Sequence, residues 1–98
     1  MAWKLRRLEQ SPIAGKKLRA IFHDKETDKT KHTDFGASGY DDFIKTGDEE
    51  QKKRYQTRHA KDLKSGDPTK AGFLSMYILW NKPTITGSVR DYKSRFNM

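Results

Sequence analysis

A chain of 98 residues with 21 Lys and Arg against 13 Asp and Glu carries a net charge of +8, and only 33% of its side chains are hydrophobic. That is one small domain with a compact core, and its charge favours polyanionic partners: nucleic acid, an anionic membrane surface or an acidic protein face. With no cysteine there is no disulfide framework and no cysteine-based zinc site, and His23, His32 and His59 are too scattered to suggest a metal cluster by spacing.

The first twenty residues contain no apolar run of the kind a secretory signal needs, so the expectation is a protein kept on the cytosolic or nuclear side of membranes. Trp3, Leu5 and Leu8 set among Lys4, Arg6 and Arg7 read as a strand with a basic outer face, broken at Ser11-Pro12. Residues 1–15 are therefore a strand or an arm. Residues 16–24 alternate, with Leu18, Ala20 and Phe22 to one side and Arg19, Ile21 and His23 to the other. A polar turn over 25–28 and a threonine-rich run over 29–35 complete a β-hairpin spanning 16–36. A lone hairpin is marginal in water, so it must pack on helices.

Gly36 and Gly39 bracket a bend, and Tyr40, Phe43 and Ile44 form a short apolar patch behind it. Asp48 is the predicted cap of a helix over 49–64, with Glu49 and Glu50 in the first turn, where the helix dipole favours negative charge. Tyr55, His59 and Leu63 make a narrow inward stripe, and Lys52, Lys53, Arg54, Arg58 and Lys61 make the outer face. Helical spacing lays Arg54, Arg58 and Lys61 along one side, a row that matches a run of phosphates or carboxylates; a solvated basic face is the plainer alternative.

Residues 71–80 hold the densest apolar run, and a helix predicted over 69–81 would be apolar on nearly every side, the mark of an element buried among others. It is far shorter than the roughly 20 residues that span a bilayer. Asp67 is its expected cap and Pro68 its first helical residue; Pro83 should stop it by pushing Lys82 out of helical geometry. A last helix is predicted over 87–96 with Thr86 as cap and Val89, Tyr92 and Phe96 at helical spacing. The expected core is Trp80, Leu74, Ile78, Tyr77, Phe73, Tyr55, Tyr92 and Phe96. The class is α+β: a single domain over 1–98 in which an N-terminal antiparallel β-hairpin or three-stranded sheet packs on three helices.

Two patterns suggest chemistry. His32 and Asp34, two apart in a strand, share a face as a general base and its orienting carboxylate would. Asp41 and Asp42 with His59 would make a nuclease-like metal site. No recognisable motif places a nucleophile, however, and the preferred reading gives His32, Asp34 and Gly36 the structural task of holding the strand-to-loop turn. No catalytic residue, metal, cofactor or small-molecule substrate is expected. The candidate polyanion- or partner-binding set is then the helix cations together with Lys4, Arg6 and Arg7 near the N-terminus.

The charge is uneven. Residues 25–50 hold four basic against eight acidic residues, whereas 51–64 hold six against one.

Three stretches together, HTDFGASGYDDF, KKRYQTRH and AGFLSMYILWNKPTITGSVRDYKSRFN, resemble a family of short basic proteins encoded by large double-stranded DNA viruses of eukaryotes, the chlorella-virus and mimivirus-like lineages. The resemblance spans 16–97. It rests on His32 to Gly36, Arg54, Tyr55, Arg58, His59, Ile78 to Thr84 and Tyr92 to Asn97, with the Trp80-Asn81-Lys82-Pro83-Thr84 block the most distinctive. It implies a viral protein, found in the virion and, during infection, in the host cytoplasm or nucleus. A minor capsid protein would bind acidic surfaces of the coat protein or the anionic inner membrane; the alternative is a sequence-independent nucleic-acid-binding protein on the viral genome. The acidic 25–50 block and the lack of a basic low-complexity tail favour the structural virion role.

Overall fold

The computed structural model describes residues 3–98. Strands β1 (Trp3–Gln10), β2 (Lys16–Asp24) and β3 (Lys29–Ala37) form one antiparallel sheet in the order β1-β2-β3, so the larger of the two sheet alternatives holds. The N-terminal segment is strand from Trp3 onward; Met1 and Ala2 lie outside the described residues. Trp3, Leu5 and Leu8 do not keep a two-residue period, and the register explains why. Leu5 lies opposite Phe22 and Arg7 opposite Ile21, so Arg6 is an extra residue, a β-bulge. The bulge returns Leu8, opposite Ala20, to the face that carries Leu5 and Phe22. Ile21, predicted to face outward, is also buried: it sits in the central strand between Arg7 and His32, whose long side chains can shade it.

Four helices follow. Helix α1 (Phe43–Thr46) is a single turn that sequence periodicity missed, because one turn has no period to detect. Its cap is explicit: the Asp42 carboxylate accepts from the Lys45 N–H, and Gly47 closes the turn in the left-handed region. Helix α2 (Glu49–Arg58) starts at the predicted cap, with Asp48 accepting from the N–H groups of Glu50 and Gln51. It does not run to 64. The backbone leaves helical geometry at His59 and continues as a 3₁₀ turn over Ala60–Leu63. In that tighter turn residues three apart eclipse, which brings His59 over Asp62.

The central apolar segment is α3 (Ala71–Leu74), which widens at once into a π turn over Ser75–Leu79, closed by the Trp80 N–H donating to the Ser75 carbonyl at 3.1 Å. The predicted start at 69 is corrected. Asp67 caps no helix; it accepts from the N–H and hydroxyl of Thr69 and so holds a separate turn containing Pro68. Helix α4 (Ile85–Phe96) begins two residues before the prediction, because Thr84 and not Thr86 accepts the Gly87 N–H.

The core lies between the sheet and α3, its π turn and α4. Leu5, Ala20, Phe22 and Phe35 from the sheet meet Leu74, Ile78, Leu79, Trp80 and Tyr92, with Phe43 at the margin. Of the predicted core, Trp80, Leu74, Ile78, Phe73 and Tyr92 are buried; Tyr55, Tyr77 and Phe96 are half-buried and pack against it. No helix among the described residues is long and apolar enough to cross a membrane.

Candidate partner-binding surface and the adjoining cleft

The tertiary structure sorts the charges that the sequence merely counts. Most carboxylates of the acidic middle are engaged by the protein itself. Asp34 accepts from Arg19 Nε and Nη2 at 3.0 and 3.2 Å and from the Ser11 hydroxyl at 2.6 Å. The Arg19 guanidinium, then the Ser11 hydroxyl, hold its carboxyl below the usual value, with a weaker through-space pull from His32. Asp42 takes the Lys17 ammonium besides capping α1, Asp41 meets Lys45 at 3.3 Å, and Asp48 caps α2.

The predicted His32–Asp34 turn therefore does not form as a pair. Asp34 lies within β3, opposite Arg19, and its partners come from β2 and the segment after β1. The His32 side chain is exposed and makes no hydrogen bond among the described residues. Gly36 also belongs to β3, at φ +81°, where a Cβ would stand 2.7 Å from Leu79 Cδ1. Its task is to let the π turn approach the sheet.

The cations of α2 are treated differently. Lys53, Arg54 and Arg58 are exposed, as is Lys61 in the 3₁₀ turn. Among the described residues Lys53, Arg58 and Lys61 have no ion-pair partner, and Arg54 has only a long contact to the exposed Glu50 at 3.9 Å. Lys52 departs from the row: its ammonium lies 4.8 Å from the centre of the Phe43 ring. Because the helix ends at Arg58, Lys61 is carried by the 3₁₀ turn that follows, so the exposed cations of this α2 patch sit on two consecutive elements.

Lys4, Arg6 and Arg7 form a second group on β1. Lys4 donates to the Asn97 carbonyl at 2.7 Å, tying β1 to the end of α4, while Arg6 and Arg7 line a depression that shares no residue with the α2 patch. The predicted polyanion-binding set thus divides in two.

Beside the α2 patch lies a cleft of about 560 Å³, bounded by the ends of β2 and β3, the loop carrying Tyr40, α2 and the π turn. Its wall is an aromatic stack: His59 on Tyr55 with ring centroids 4.2 Å apart, and Tyr55 on Trp80 at 4.3 Å. Burial pushes the Tyr55 phenol up, with the Ser75 hydroxyl pulling the other way. His59 Nδ1 lies 2.9 Å from an Asp62 carboxylate oxygen; a carboxylate only accepts, so Nδ1 donates and neutral His59 keeps Nε2 as an acceptor. Sequence reading gave His59 to a packing stripe and missed this contact, although the spacing of three was its signal. Asp41, Asp42 and His59 all line the cleft, as the metal-site suggestion required. The carboxylates are engaged by Lys45 and Lys17, and no group of three or more His, Asp or Glu among the described residues can hold a metal ion.

A family model matches residues 6–59, just over half the chain, and its description is a family of unknown function (DUF5754). The match takes in the sheet from its bulge onward, α1 and α2, and stops at the residue where α2 breaks. No curated protein and no solved structure matches the chain.

Proposed function

The chain belongs to this family of unknown function (DUF5754), and from that premise we propose that it is a basic, non-enzymatic structural protein of a large DNA virus, a minor virion component whose α2 patch holds an acidic protein surface. The viral assignment rests on the motif resemblance; the partner class rests on the charges. One observation carries it: the carboxylates are largely engaged within the fold, whereas Lys53, Arg58 and Lys61 are exposed without a counter-charge among the described residues. Such cations steer an acidic partner into register and exclude basic ones.

The size of the patch favours a protein face over a duplex. From Lys53 to Lys61 the chain advances only about 13 Å, at about 1.5 Å per residue in the α-helix and about 2 Å in the 3₁₀ turn. Asp48, Glu49 and Glu50 lie at the other end of the same helix and repel any polyanion that runs past it. Few phosphates can be held, so duplex binding should be of the non-specific grade, with Kd of about 10⁻⁴–10⁻⁶ M at physiological salt.

The test is a salt-titrated duplex-binding assay and a particle-incorporation assay on the parent and on a variant with Lys53, Arg54, Arg58 and Lys61 changed to Ser. Weak duplex binding by the parent and loss of the variant from the shell fraction of purified particles are expected. Sub-micromolar duplex binding that disappears in the variant would instead make the protein a genome-binding one.

A further inference from the structure

Side chains tie each edge strand of the sheet to its surroundings. On β3, the Thr33 hydroxyl donates to the Thr69 carbonyl at 2.8 Å and the Lys31 ammonium donates to the Thr69 hydroxyl at 2.8 Å, which sets the turn before α3 beside that strand; on β1 the tie is at Lys4, near one end. The outer edge of β1 makes no backbone hydrogen bond among the described residues beyond its ladder with β2. An uncovered edge presents free N–H and C=O groups, a template for one more strand, here on either side of the bulge at Arg6.

Between that edge and α4 runs a groove of about 280 Å³. Its floor is apolar, formed by Leu5, Leu8, Ile85 and Val89, and Leu8 reaches it only because the bulge at Arg6 turns it to the helix side. Its charged lining is entirely cationic: Arg6, Arg7 and Lys93. Arg6 and Lys93 have no ion-pair partner among the described residues, and Arg7 has only the exposed Glu9 at 3.4 Å.

We propose that this groove docks an acidic segment of a partner protein in extended conformation, added as a fourth strand along β1. Alternate side chains of a strand point to one face about 7 Å apart. Apolar side chains at those positions would enter the groove over Leu8 and Val89, and Asp or Glu beside them would meet Arg6, Arg7 and Lys93. Main-chain pairing supplies affinity and the alternate pockets supply specificity, as in other cases of strand addition.

The charges decide among occupants. A second copy of this chain would set the same three cations against themselves. A nucleic acid would satisfy the cations but leave the apolar floor without a partner. An anionic membrane needs protruding apolar side chains, and these are recessed: Leu5 is 4% exposed and the other three are half-buried. The proposal rests on the partner being a protein, as in the reading of α2, but uses a surface with no residue in common with that patch.

The test uses a random library of peptides of about ten residues, enough to pair along β1. It is selected on the whole protein and counter-selected on the variant Arg6→Glu/Lys93→Glu. Both positions are exposed, so that variant should fold; Val89→Asp probes the floor separately. The expected peptides alternate Asp or Glu with Leu, Ile, Val or Phe, and bind the charge-reversed variant about tenfold or more weakly, as loss of close charge pairs requires. They bind the α2 variant unchanged, so failure of the α2 reading leaves this one standing and the reverse also holds. Peptides without that alternation, equal binding to parent and charge-reversed variant, or a parent dimer that Val89→Asp dissociates would each overturn the proposal.

Discussion

Tyr55 and Trp80 stack almost parallel, at 8° and 4.3 Å between ring centroids, and that contact fastens the basic helix to the core. Helix α2 has no fully buried residue of its own. Its other tie to the same point is the Gln56 side chain, which donates to the Trp80 carbonyl at 3.1 Å. A helix attached so lightly keeps its cations in solvent, and beside Gln56 and the Lys52–Phe43 contact the Trp80 indole is its main apolar anchor.

Trp80→Ala should therefore act on both the core and α2. Removing a buried large aromatic costs about 3–5 kcal/mol, a large share of the margin of a small domain. Tyr55→Ala should cost less overall but release α2, so amide exchange should speed up over Glu49–Arg58 and stay slow in β2. Coincident thermal melts of the parent and Trp80→Ala would refute this account of the core.

Gly36 and Gly39 both have positive φ, +81° and +83°, yet should respond differently to alanine. At Gly39 nothing lies within 4 Å of a new Cβ, so only backbone strain of about 1–2 kcal/mol is added. At Gly36 the methyl would also press on Leu79, and the total should reach about 2–4 kcal/mol. Chemical denaturation of the two variants side by side measures the difference. Equal losses would mean that the π turn does not rest on the sheet at this point.

Asp34 and His32 should separate in the same way. Asp34→Asn weakens the bond to Arg19, whereas His32→Ala removes an exposed side chain and should change stability by less than about 0.5 kcal/mol. The carboxyl of Asp34 is held below its ordinary 3.8, so its contribution is present above that pH and is lost as pH falls through the folded value. Asp67 and Asp91 are lowered too, by the Thr69 hydroxyl and the Asn81 amide first, so the parent should lose stability steadily below pH 3.8. The gap between parent and Asp34→Asn should close over that range. A gap that is constant from neutral to acid pH would show that Arg19 and Asp34 are not coupled.

The hydroxyl of the fully buried Tyr92 donates to the Pro68 carbonyl at 2.6 Å, joining α4 to the turn before α3. Tyr92→Phe keeps the ring and leaves that carbonyl without its donor, a cost of about 1–2 kcal/mol. Burial raises the phenol pKa, so the native state resists its ionisation. The contribution is complete below the ordinary value of 10.0 and declines as pH rises beyond it. Alkaline melts should fall more steeply for the parent than for Tyr92→Phe, and parallel curves would rule the coupling out.

Local patterns were enough to read the α+β class, the hairpin, the Asp48 cap and the apolar centre at 71–80, because each is written in neighbouring residues: an alternation, a capping carboxylate, a run of apolar side chains. What needed the third dimension was which partner wins when several are available. Asp34 could serve His32 or Arg19, and the register of β2 against β3 gave it to Arg19. Asp67 could start a helix or hold a turn, and it holds the turn that Tyr92 and Thr33 grip from distant parts of the chain. The bulge at Arg6 is settled by pairing with β2, and with it the groove against α4. Composition determined that the protein is cationic; only the folded pairing of Lys17, Lys45 and Arg19 with their aspartates decided which cations stay without a counter-charge among the described residues, because a charge is neutralised by what lies within a few ångströms and not by what lies nearby in sequence.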